Sequence, residues 1–167
     1  QSAVNDCWED GLGFYHCCGV TSETGGNQNG FWAKLSAAGE LVGPVRRFGT
    51  SQADELVRIV PMGTDRLLMS GYSKGFSNNI YSAVWVLETD YFGVVKSSKI
   101  YSLTENDLVT HDMIALPGNQ YVLALGNLSG QLSPAILMKL NIDLDQLFAF
   151  QYKGGSESDV FSQVINT

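Results

Sequence analysis

Aspartates return at a near-constant interval along this chain: Asp54 in "RRFGTSQAD" (46–54), Asp107 in "KIYSLTEND" (99–107) and Asp159 in "QYKGGSESD" (151–159). Each closes a stretch that starts with an aromatic residue, Phe48, Tyr101 or Tyr152, and runs on through Gly or small polar residues. One carboxylate per unit suits two chemistries. The three can form a ring of metal or ligand contacts, or each can accept backbone N–H bonds and hold the loop between repeated units. Regularity across otherwise divergent units favours the turn.

Cys7, Cys17 and Cys18 all fall in the first eighteen residues. One disulfide from Cys7 to either Cys17 or Cys18 would tie the first two strands together and leave one thiol over. Three buried free thiols are the alternative. No Cys-x-x-Cys is present, and His16 beside the vicinal pair would crowd a metal, so no metal or cofactor is expected. His111-Asp112 could orient an imidazole toward a serine such as Ser102. No Gly-x-Ser-x-Gly elbow accompanies it, and its place in an opening strand reads as a strand-face or core histidine. "NIDLDQ" (141–146) alternates oxygen ligands in the manner of a calcium loop but lacks the sharp-turn Gly and the later bidentate acid. A polar hairpin turn explains it. "GNLSG" and "GLG" lack the Gly-Lys-Ser/Thr of a phosphate loop. Asn127-Leu128-Ser129 is a glycosylation sequon, placed just after a strand-ending Gly126, and a glycan on Asn127 is expected in a eukaryotic secretory pathway. Trp32 and Trp85 lie on strands in near-equivalent phase and can either pack between sheets or serve as stacking platforms for a glycan. Packing is the default reading.

These residues need elements to position them, and the pattern is β throughout. Runs of four to eight apolar residues are bounded by Gly, Asn, Asp and Ser clusters. "FYHCCG", "LLMSG" and "YVLALG" read as strands ending in Gly19, Gly71 and Gly126, followed by "GFWAKLSAAG", "AVWVLETDYFG" and "AILMKLNIDL". "SAAGEL", "TDYFGV" and "IDLDQ" sit where hairpins would reverse. Leu144 stands where the first two turns have Gly39 and Gly93, which predicts a turn of another type. "QADELVRIV" could pass for a short helix, but its counterpart "SDVFSQVIN" favours a strand. The period is about fifty residues, the size of a propeller blade or a comparable β-repeat. "VNDCW" (4–8) and "LVRIV" (56–60) share a phase that "SDVFSQVINT" takes again. Three units, 1–53, 54–106 and 107–158, are therefore expected, with one extra opening strand over 159–167.

Composition sets the remaining bounds. The chain has 167 residues, 44% of them hydrophobic, which is enough for a packed core. Net charge is -7 with only 10 Lys and Arg, so no basic face is available for nucleic acid or an anionic membrane surface. No apolar window reaches the ~18 residues of a membrane span. The start at Gln1 fits a mature secreted product or an excerpt of something longer.

The motifs together resemble a secreted β-propeller repeat family whose units read roughly G-T…W-x-x-K-L-D-x-x-G…Y-G-G-x-x-x-D. "GFWAKLSAAGEL" with "RFGTSQADELVRIV", and "ILMKLN" with "YKGGSESDVFSQVI", carry the likeness. The middle unit departs from it, with Glu88-Thr89-Asp90 for Lys-Leu-Asp and Ser102-Leu103 for Gly-Gly. The resemblance implies an exported propeller scaffold in a binding or surface protein, without shared catalytic residues. The expected fold is all-β: β-propeller-type repeats in three four-stranded antiparallel blades plus the extra C-terminal strand. The expected function is an extracellular or cell-surface, non-catalytic structural and interaction module. Its partners would be its own copies or other chains, bound through edge strands. A glycan-binding propeller is the alternative. A glycosidase is the third reading and needs clustered acids that the sequence does not single out.

Overall fold

The computed structural model describes residues 1–22, 26–76, 81–102, 107–127, 134–154 and 161–165. The chain is all-β, with no helix among the described residues, and folds as three four-stranded antiparallel sheets. Sheet one is β1 (Ser2–Glu9), β2 (Tyr15–Ser22), β3 (Gln28–Leu35) and β4 (Arg46–Phe48); sheet two is β5 (Asp54–Met62), β6 (Arg66–Ser73), β7 (Ala83–Asp90) and β8 (Val95–Tyr101). Sheet three is β9 (Leu108–Leu116), β10 (Gln120–Asn127), β11 (Ala135–Leu140) and β12 (Gln146–Tyr152). In each sheet the strands lie side by side in chain order, each antiparallel to the next. "QADELVRIV" is strand β5.

Period-two alternation decides how the sheets stack. On β6 and β7, Leu67, Met69, Trp85 and Leu87 enter one apolar cluster with Cys18 and Trp32 of sheet one. Their neighbours Leu68, Val84 and Val86 enter a second cluster with Leu123, Met138 and Leu140 of sheet three. Successive side chains point to opposite faces. The inner strands β6 and β7 of sheet two are therefore buried on both sides, and Leu67–Met69 and Ala83–Leu87 read as unbroken apolar runs.

The recurrent glycines of the units do not end strands as expected. Gly19, Gly71 and Gly126 lie inside β2, β6 and β10, opposite Val4, Leu56 and Val109 of the first strands. A Cβ on Gly19 would sit 2.0 Å from the Ala3 carbonyl oxygen, and one on Gly71 would sit 1.8 Å from that of Glu55. The first strands carry bulges at Asn5, Val57 and His111, directly beside the Gly19 and Gly71 pairs and one pair removed from that of Gly126. The bulge brings backbone into the space where a side chain would be.

The third hairpin also differs from expectation. Ser36 to Glu40, Asp90 to Val94 and Asn141 to Asp145 form one turn type: the first residue's N–H bonds the fifth's carbonyl, and the fourth's N–H bonds the first's carbonyl. Gly39, Gly93 and Leu144 all hold positive φ, the last at 60°. Leu144 accepts this conformation because its side chain is buried in the cluster between sheets two and three.

The extra strand expected over 159–167 is not formed by residues 161–165. Each first strand makes its ladder with the second strand of its own sheet, and no such second strand accompanies this segment among the described residues.

Candidate functional site

The first strands β1, β5 and β9 carry the polar residues that join one sheet to the next. Just past the bulge, Asp6 uses Oδ1 to accept from Cys7 N at 2.9 Å and Oδ2 to accept from Ile59 N of sheet two at 3.0 Å. Asp112 repeats this: Oδ1 accepts from Met113 N at 2.9 Å, and Oδ2 accepts from Val164 N at 2.8 Å. Residue 164 thus occupies the place relative to sheet three that Ile59 occupies relative to sheet one. The equivalent position of sheet two holds Arg58, whose Nε donates to Asp112 Oδ1 at 2.8 Å. Asn5 adds bonds to Glu55 Oε1 (2.7 Å) and the Leu56 carbonyl (2.8 Å). Asp6, Arg58, Asp112 and the tail residues Ser162 and Gln163 surround one cleft of about 560 Å³.

Beyond this line, sheet three turns one face away from sheet two. Phe150 stands opposite Leu137, Phe148 opposite Lys139 and Tyr152 opposite Ala135. Phe150 is 58% exposed, and the whole of β12 is open to solvent. By register this is the face of Trp32 in sheet one and Val86 in sheet two, both of which the following sheet covers.

The sequence-based candidates distribute as follows. Asp54 Oδ2 accepts from Thr50 N (2.5 Å) and Thr50 Oγ1 (2.9 Å), fixing the loop that leads into β5. Asp107 Oδ1 accepts from Ser82 N (2.6 Å) and Ser82 Oγ (2.8 Å), tying the start of β9 to sheet two. Asp159 lies outside the described residues. Cys7 and Cys17 form the disulfide, as direct partners across β1 and β2 with Cα atoms 4.1 Å apart. Cys18 points to the opposite face, buried and free. Trp32 and Trp85 are each 2% exposed, packed between sheets one and two, and present no ring to solvent. Asn127 ends β10, and the rest of its sequon lies outside the described residues.

Asp6 and Arg58 were not among the residues the sequence singled out, and Asp112 was considered only as a partner of His111. Their signal was the shared phase of "VNDCW", "LVRIV" and "THDMI", in which the third residue is charged and the first is Val4, Leu56 or Thr110. No protein-family model matches this chain, and no curated protein matches it in sequence.

Proposed function

We propose that this chain is an extracellular, non-catalytic structural module of propeller-type blades that assembles with further copies of itself through the open face of its third sheet. One observation carries the reading. The bond from Val164 to Asp112 reproduces the bond from Ile59 to Asp6, so the third sheet receives a following segment as the first receives the second. The uncovered face beside it, with Leu137 and Phe150, is in phase with faces that are covered elsewhere in the chain. Exposed apolar faces of this kind suit protein contacts. Convergence of the three first strands on one cleft supports a blade arrangement about an axis. The Cys7–Cys17 disulfide fits an oxidising compartment. Among the described residues no helix is long and apolar enough to cross a membrane.

Contact between the third sheet of one copy and the first sheet of the next is heterologous, so it yields rings or filaments. Light scattering tests it. The expected species are dimers or larger multiples of the 18.2 kDa chain, reduced to monomer by Phe150→Asp and weakened by deleting 159–167. A monomer for the unaltered chain, or an unchanged mass for both variants, would sink the proposal. The glycan-binding alternative cannot use Trp32 and Trp85 as its platforms, since both rings are buried.

A further inference from the structure

At the opposite end of sheets one and two from the bulged segments, the turns β1–β2, β5–β6 and β7–β8 enclose a cleft of about 440 Å³. That volume lies in the range of small-molecule sites, ~300–1,000 Å³. Its polar groups are held in place before any ligand arrives. Asp10 Oδ1 accepts from Leu12 N (2.9 Å) and Phe14 N (3.0 Å), fixing the first turn. Asp10 Oδ2 lies 3.1 Å from Nε2 of the fully buried His16 and 3.8 Å from Lys34 Nζ. Across the cleft, Asp90 Oδ1 accepts from Phe92 N (2.9 Å) and Val94 N (3.0 Å), and Oδ2 lies 3.0 Å from Lys96 Nζ. Arg66 pairs with Glu88 at 2.6 Å and reaches Asp65 at 3.8 Å. Burial alone would raise the pKa of Asp10 and Asp90, but the bonds they accept outweigh it, and both stay ionised. The Tyr91 ring lies 4.9 Å from that of His16, tilted at 45°; burial, and then the charges of Asp10 and Asp65, hold its hydroxyl protonated and able to donate.

Charge and exposure together select the ligand class. Among the lining residues Asp10, Asp65 and Asp90 balance Lys34, Arg66 and Lys96, and Glu88 behind Arg66 adds one negative charge, so the site offers no excess positive charge to an anion. What remains is a fixed set of donors and acceptors beside two apolar side chains that no packing requires, Leu12 at 83% and Phe92 at 74% exposure. A ligand matching both features is uncharged, rich in hydroxyls and apolar on one face. We infer that this cleft binds a neutral saccharide, with a sugar ring laid on Phe92 and its hydroxyls bonded to Asp90 and Lys96, while the buried Asp10 holds the first turn in place. The site is distinct from the open face of sheet three and does not depend on self-assembly.

The test is an oligosaccharide array carrying neutral, sialylated and sulfated chains, probed with the whole protein, followed by titration of the retained neutral sugar against the fluorescence of Trp8, which lies 5.9 Å from Tyr91. Retention of a neutral class is expected, weakened about tenfold or more in Phe92→Ala and also weakened in Lys96→Ala. Both replaced side chains are largely exposed, and circular dichroism checks that both variants fold. Phe150→Asp should leave the titration unchanged. The inference is overturned if no neutral sugar is retained, if retention is confined to sulfated or sialylated chains, or if Phe92→Ala binds as the unaltered chain does.

Discussion

His16 is wholly buried between Asp10 and the rings of Trp8, Trp32 and Tyr91, with Lys34 on the far side of the carboxylate. Burial, first, and the Lys34 charge hold its pKa below the ordinary 6.5, while the bond and charge of Asp10 only partly oppose them. An imidazole that resists protonation when folded takes up a proton more readily when unfolded. Its contribution to stability is therefore full above about pH 6.5 and falls as the pH drops toward the folded value. His111 acts in the same direction, through burial and then Arg58. A thermal melt series should show Tm falling between about pH 6.5 and pH 5, with a shallower fall in His16→Gln; an unchanged slope in that variant would refute the assignment. Cys18 gives a second expectation. Burial pushes its thiol well above the ordinary range, so a thiol reagent should label nothing in the native protein and one group per chain after unfolding. Gly71→Ala forces a Cβ into the Glu55 carbonyl and should destabilise by roughly 1–3 kcal/mol or more in chemical denaturation. Sequence could narrow the disulfide to Cys7 with one of two neighbours, but the choice between them is a matter of which side of β2 each faces. That depends on the β1–β2 register, which no local pattern fixes.

Strands and turns were far more legible than individual contacts, because the period of about fifty residues repeats each element three times. The four strands per unit and the three hairpin positions follow from that repetition. The Leu144 turn did not, since glycine preference is a local rule and its exception is tertiary. At the junction of sheets one and two, a Cβ on Gly93 would meet the Trp32 ring at 2.5 Å. At the next junction Val86 stands in the position of Trp32, and Leu144, in the position of Gly93, shares its cluster. A bulky ring beside glycine and a small valine beside leucine are two solutions to one volume. Leu144→Gly should relieve the backbone yet lower stability, because the lost apolar burial, ~2 kcal/mol, exceeds the ~1 kcal/mol gained at positive φ. For the doubly covered middle sheet, Leu68→Ala should cost about 2–5 kcal/mol by thermal or urea unfolding. The aspartate-bearing first strands were hidden for a different reason. Bulges at Asn5, Val57 and His111 shift the alternation by one residue, so a simple count of inward and outward positions fails there.

Across the whole molecule the sheets are ordered as well as stacked. The position just past each bulge holds Asp6, then Arg58, then Asp112, and by the register of Val164 against Ile59 the tail offers Gln163. Around the shared cleft the sequence of charge is negative, positive, negative, neutral, with no like neighbours in succession. A version of the gene with its second and third units exchanged would set Asp6 against Asp112 and should express as a less stable chain in the same melt assay. The same logic reaches past the chain. A second copy laid directly against β9, with the tail removed, would set its own Asp6 against Asp112; with the tail bonded to Asp112 through Val164, Gln163 would separate the two carboxylates. With its uncharged amide there, the tail is a neutral spacer that lets one acidic first sheet follow another.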